Sequence, residues 1–199
     1  MTRPIPRVGG FAAGPAGELY ERALVLLAEV FEVTGEQHWL EWVRTDLRLW
    51  RSGAGGVRHR DAFGGMGSMN DRPLVNPWPD AAISQLTHVS TTTATADPDR
   101  FVQIRAGSSP QPVLSWAECA SCGRGVVTPT GLDRAAAAGW ASWAVPRALT
   151  DGGSLASREP YRDHVRRVVE ERGLSLRERD NGCASCGGSA WRSHSVPVF

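Results

Sequence analysis

The chain contains no lysine, so its 22 basic residues other than histidine are all arginine. This excludes Schiff-base chemistry and any phosphate-binding loop built around a lysine. Charge of one sign is also scarce as a block. No run reaches five like charges and the formal net charge is +1, so there is neither an acidic tail nor a basic nucleic-acid arm. Long apolar runs are missing too. The longest, Ala23 to Ala28, is far too short for a membrane span. Met1 to Gly17 carries Arg3 and Arg7 but no apolar run of signal-peptide length, which makes the cytoplasm the expected compartment. The HExxH and HxE…PCxxC signatures of catalytic zinc are absent.

What is present is a 41% hydrophobic composition and eight tryptophans, enough for a packed core. Arginine in place of lysine, with abundant alanine and glycine, points to a GC-rich bacterial genome. Residues 1–16 are rich in Pro, Gly and Ala, and the composition predicts no fixed structure there. Leu19, Ala23, Leu26, Leu27, Val30 and Phe31 recur at helical spacing and predict a helix over about 18–33. Thr34 with Gln37 matches a capping box and Gly35 suits a turn. A second helix is therefore expected over about 36–50, with Trp39, Val43, Leu47 and Trp50 on one stripe. So short a connection implies an antiparallel helical hairpin.

The segment from Ala62 to Asp71 is a glycine-rich turn. Its polar residues Ser68, Asn70 and Asp71, with His59 and Asp61 just upstream, are candidates for a partner-binding or small polar site. Turn geometry is the simpler account of them. A short helix is expected over 80–87. The Ser/Thr-rich stretch 89–99 has the composition of a linker between a helical domain (17–88) and a second domain (100–199). In that second domain, strands are expected over 101–105, 112–116 and 191–199. Helices are expected over 132–144, capped within 130–133 and stopping before Pro146, and over 159–172.

Cys-Ala-Ser-Cys-Gly occurs twice, at 119–123 and 183–187. Two cysteines separated by two residues put both sulfurs on one side of a tight turn, and the following glycine lets backbone N–H groups turn toward sulfur. Two such knuckles supply Cys119, Cys122, Cys183 and Cys186 as a complete tetrahedral set with no coordination position left open, the pattern of a structural zinc site. The 60 residues between the knuckles exceed the usual spacing of a zinc ribbon. Loop-closure entropy grows only logarithmically, so inserted helices can fill the gap. A domain of about 100 residues is near the lower range of self-sufficient folding, where a metal staple has physical sense.

Gly35, His38, Trp39, Trp42, the 44–47 stretch and the run from Ala62 to Asp71 carry a resemblance. Residues from about 19 to 71 resemble an uncharacterised bacterial family, a domain of unknown function. In that family a helix is followed by a segment like GEQHWLEWVRTDL, a gap and then AFGGMGSMND. The resemblance implies a small, mainly helical fold and no established activity. It departs after Asp71, where Arg72-Pro73 interrupts an apolar segment usual in the family. The C-terminal half is similar to actinobacterial zinc-ribbon proteins in which a CxxCG knuckle precedes a helix ending AAAAGW, although there the second knuckle comes sooner.

The expected fold class is therefore α+β: an N-terminal helical hairpin with a glycine-rich turn, then a zinc-ribbon-like module with inserted helices. The expected function is that of a zinc-stabilised binding or adaptor protein, non-enzymatic, with a protein partner and no membrane. Two alternatives stand. A nucleic-acid-binding zinc ribbon is suggested by 13 arginines against nine acids in residues 100–199, an excess that four thiolates and a dication reduce by about two. An enzyme using His59, Asp61, Ser68 and Asp71 would need those side chains to converge in one pocket.

Overall fold

The structure is a computed structural model, and it describes residues 15–63, 67–72, 76–94, 112–152, 155, 159–177 and 182–198. In chain order its elements are α1 (Pro15–Thr34), α2 (Gln37–Arg51), α3 (Val57–Asp61), a 3-10 turn (Met69–Asp71), α4 (Pro77–Ala94), β1 (Val113–Cys119), β2 (Gly125–Val127), α5 (Pro129–Asp151), α6 (Glu159–Glu171), β3 (Ser175–Leu176) and β4 (Trp191–Pro197). The class is α+β. The expected strand 101–105 lies outside the described residues, as does the stretch 1–14.

The chain divides into two compact units. The first comprises Met1–Val75, Ile83–Ser108 and Pro146–Gly153; the second comprises Asn76–Ala82, Ser109–Val145 and Ser154–Phe199. In the first, α1 buries Tyr20, Leu24, Leu26, Leu27 and Phe31 completely. It ends in a Schellman turn, with Gly35 N–H donating to Glu32 O and Glu36 N–H to Phe31 O. The expected capping box does not form. Glu36 is the N-cap of α2 without a side-chain bond, and the Thr34 hydroxyl instead donates back to Phe31 O. The inward face of α2 also differs from expectation. It carries Leu40, Val43, Asp46 and Trp50, while Trp39 and Leu47 are half-buried.

Helix α4 is longer than the expected 80–87 and continues to Ala94, through the first part of the stretch with linker composition. Hydroxyl side chains make this possible. Ser90 and Thr91 donate to Thr87 O, and Thr93 donates to Val89 O, so their polar groups are satisfied within the helix. Val89, Ser90 and Thr93 are buried.

In the second unit the sheet order is β3-β2-β1-β4. β1 is antiparallel to both neighbours and β2 is parallel to β3. Its core joins Leu114 and Val127 of the sheet to Leu132, Ala135 and Ala136 of α5 and Val165 and Val169 of α6. Helix α5 starts earlier than expected, with Thr128 as its cap through a hydroxyl that accepts from Gly131 N–H, and with Pro129 in the first turn where its missing N–H costs nothing. It also runs through Pro146, which was expected to stop it. A helical proline costs about 3 kcal/mol, but Ala144, Val145, Ala148 and Leu149 on either side of it are all buried, and burial of that size outweighs the cost.

Adjacent residues at the start of β1 differ in burial, Val113 exposed and Leu114 fully buried, which supplies a paired test. Leu114→Ala should lower stability by about 2–5 kcal/mol in urea unfolding, whereas Val113→Ala, next along the strand and exposed, should change it by less than about 0.5 kcal/mol.

Candidate metal centre

The first knuckle is the turn between β1 and β2, and the second lies just before β4. They are built alike. Cys119 N–H donates to Arg124 O at 2.9 Å and Cys183 N–H to Gly188 O at 2.8 Å, each closing the turn across five residues. Gly123 N–H donates to Cys119 O and Gly187 N–H to Cys183 O, with both glycines at φ +71, a left-handed conformation that a side chain would strain. Ladder pairing of β1 with β4 aligns Cys119 with Trp191, and Ala120 N–H donates to Ala190 O, so the sheet itself draws the second knuckle over the first. A further glycine, Gly188, sits where they touch. A Cβ there would lie 2.7 Å from Ser121 Oγ and 3.4 Å from Cys119 Sγ. The glycine after each second cysteine is evident from the repeated pentapeptide, whereas Gly188 is signalled in the sequence by the Cys-Gly-Gly of the second repeat alone.

All four sulfurs lie within 4.8 Å of one another, with Cys119 to Cys186 at 3.6 Å and Cys122 to Cys183 at 3.5 Å. They are free thiols. A tetrahedral ion bound to sulfur at about 2.3 Å places its sulfurs about 3.8 Å apart, so the donor set and its spacing fit one metal ion. Electrostatics point the same way. Backbone N–H groups of Ser121 and Cys122 hold the Cys119 thiol below its ordinary value. Those of Ser185 and then Cys186, with burial opposing, help bring Cys183 down to about 6. Cys122 receives the Arg124 N–H, yet crowding by Cys183, burial and the other two sulfurs push it up to about 12. Two protons thus leave readily and a further one is opposed by the charge already present, a repulsion that a bound cation removes. His194 and His164 are engaged elsewhere. His194 stacks on Trp116 and faces Glu118 at 3.6 Å, and His164 Nε2 lies 2.6 Å from Val198 O.

Among the polar residues upstream, Ser68 and Asp71 meet each other, while His59 is engaged by Asp46 and Ser90. Asp61 is exposed at the end of α3. Ser68 is buried, and its N–H and hydroxyl both donate to the carboxylate of Asp71, closing the 3-10 turn. Asn70 lies in that turn, and its side chain is outside the described residues. His59 is fully buried and belongs to a different constellation, which sequence reading missed. Its Nδ1 lies 2.9 Å from Asp46 Oδ2 and its Nε2 2.8 Å from Ser90 Oγ. The second Asp46 oxygen takes Arg58, whose guanidinium also donates to Trp42 O and lies over the Trp42 ring. The imidazole thus bridges the Asp46 carboxylate on its Nδ1 side and the Ser90 hydroxyl, which donates to Thr87 O, on its Nε2 side. The order is that of a serine hydrolase triad. Ser90 has no exposed surface, however, and its hydroxyl is also within reach of Thr87 O. A nucleophile sealed from substrate holds helices together; here α2, α3 and α4 meet through it. The readable signal was an acid on the apolar stripe of α2, three residues after Val43 and four before Trp50.

The family model described as "Domain of unknown function (DUF6966)" matches residues 32–77, less than a quarter of the chain. The match takes in Asp46, Arg58 and His59 and the 3-10 turn. No curated protein and no solved structure matches.

The buried network generates two predictions. Ser90→Ala leaves His59 Nε2 unsatisfied and should cost about 1–3 kcal/mol in urea unfolding. Asp46→Ala strands Arg58 and His59 and should cost about 3–5 kcal/mol. Because both act through one imidazole, the double variant should cost less than their sum; full additivity would contradict the network. Separately, burial, helped by Asp46 and opposed by Arg58, pushes the Tyr20 phenol above its ordinary value of 10.0. The unfolded chain then ionises first. Stability contributed by Tyr20 is fully present below pH 10 and is lost as pH rises beyond it, and Tyr20→Phe should flatten that alkaline fall.

Proposed function

We propose that this chain is a zinc-stabilised binding or adaptor protein, in which Cys119, Cys122, Cys183 and Cys186 hold a structural Zn2+ and the helical hairpin offers the contact surface to a protein partner in the cytoplasm. The observation that carries the reading is the convergence of all four cysteines, from two like-built knuckles, within one tetrahedral span. Four thiolates fill the coordination of zinc and leave no position for a substrate or an activated water, which favours a structural over a catalytic ion. Soft sulfur donors select zinc or iron among the common metals, and zinc is the one without redox chemistry of its own. In this reading the second unit is a zinc-ribbon-like module whose β1–β2 hairpin carries the first knuckle, with α5 and α6 inserted before the second.

Support for a contact surface comes from α2. His38, Trp39 and Trp42 form a half-exposed aromatic cluster, with ring centroids 4.7 Å apart for the first pair and 6.2 Å for the two tryptophans. Arg58 lies 3.9 Å from the centre of the Trp42 ring. Tryptophan and arginine are the residue types that dominate interface energetics. No helix among the described residues is long and apolar enough to cross a membrane.

Metal analysis of the purified full chain should find one zinc per chain. Exhaustive chelation at neutral pH should then abolish cooperative unfolding of the second unit. Acid should have the same effect, because protons compete with the metal for the thiolates and zinc is lost as pH falls. Iron at that stoichiometry would replace the structural reading with an electron-transfer one. Absence of metal, with the fold unchanged by chelator, would end both. Salt-sensitive retardation of DNA or RNA in a gel shift would favour a nucleic-acid partner over a protein.

A further inference from the structure

Each knuckle contributes one buried and one exposed cysteine. Cys119 and Cys183 are buried, and Cys122 and Cys186 are exposed. The sulfur contacts at 3.6 Å and 3.5 Å, Cys119 with Cys186 and Cys122 with Cys183, each join the exposed sulfur of one knuckle to the buried sulfur of the other. The centre therefore holds, twice over, an accessible sulfur with a partner sulfur directly behind it. A disulfide needs about 2.05 Å between sulfurs, so each pair must close by only about 1.5 Å.

We propose that the four-cysteine centre is also a peroxide-responsive switch, in which oxidation joins the knuckles through Cys119–Cys186 and Cys122–Cys183 disulfides while the metal leaves. The proposal rests on the reading of the four cysteines as a zinc site. The oxidant is hydrogen peroxide. The exposed sulfur of Cys186 attacks one peroxide oxygen, the O–O bond breaks, hydroxide departs and Cys186 becomes a sulfenic acid. The Cys119 thiolate then attacks that sulfur and expels a second hydroxide, leaving a disulfide. Cys122 and Cys183 repeat the sequence with a second peroxide. Four thiolates and two hydrogen peroxide molecules thus give two disulfides and four hydroxides, each hydroxide carrying a peroxide oxygen and being protonated to water by solvent. Sulfurs in disulfides are poor ligands, so Zn2+ passes to the solvent.

The cross-knuckle connection has a structural consequence. Bonds within each CxxC would leave the two knuckles free of one another once the ion had gone. Bonds between them keep the span from Cys122 to Cys183 closed, which constrains the unfolded chain much as the ion does. The oxidised second unit therefore keeps its sheet and loses its metal.

The test uses the full chain, first shown to contain zinc as purified. Hydrogen peroxide is added in steps, released zinc is followed with a chromophoric chelator, and the product is cleaved at arginine without reduction. The two knuckles then fall on separate peptides, 106–124 and 180–192. The expected result is one zinc released for every two peroxides consumed and a linked peptide pair. Fragmentation should place the bonds at Cys119–Cys186 and Cys122–Cys183, and dithiothreitol with added zinc should reverse both changes. Zinc retained under peroxide, bonds confined within each peptide, or the opposite cross-pairing would each overturn the proposal. A chain that carries no zinc before peroxide is added would defeat the metal reading itself, and the proposal with it.

Discussion

Four sulfurs crowded into one tetrahedral span cannot all carry negative charge unless a cation sits among them. That constraint organises the second unit. The N–H groups of each knuckle favour thiolate at Cys119 and Cys183, while mutual repulsion keeps the proton on Cys122. A bound cation would resolve the conflict between the turn geometry, which invites charge, and the proximity, which forbids it. The ladder between β1 and β4 supplies the proximity: it pairs Cys119 with Trp191 and so fixes where the second knuckle can lie. Sheet register and metal chemistry therefore depend on one another. A one-residue slip of β4 would turn its side chains to the opposite face and shift the second knuckle against the first.

The first unit solves a comparable problem without a metal. Asp46 is a buried carboxylate on the inward face of α2, which would be costly alone. Arg58 and His59 meet its two oxygens, and Ser90 meets the far side of the imidazole. Every polar atom of the Asp46 carboxylate and the His59 ring therefore has a partner in the core. The hydrolase-like order of these residues follows from the same donor and acceptor logic that a catalytic triad uses, and burial of Ser90 is what separates the two cases.

How much of this was legible depends on the range over which each signal acts. Helices α1 and α2 could be read because apolar spacing at 3.6 residues is a local property. The four ligands could be read because the pentapeptide repeats itself, although nothing in the sequence between them shows how 60 residues are folded back. Pro146 misleads because its local cost is visible in the sequence and the burial of Val145, Ala148 and Leu149 is not. Residues 90–94 mislead for a related reason. Serine and threonine have the composition of a linker, but in α4 their hydroxyls bond to carbonyls one turn back. Asp46 and Ser90 lie 13 and 31 residues from His59, so their meeting is a tertiary fact that no pattern within a helix encodes.

The claim at the centre of this account is that one ion is held by four sulfurs and nothing else. X-ray absorption at the zinc edge of the purified chain tests it most directly. The account predicts a single shell of four sulfur scatterers at about 2.3 Å. A nitrogen or oxygen scatterer in that shell, or fewer than four sulfurs, would contradict it.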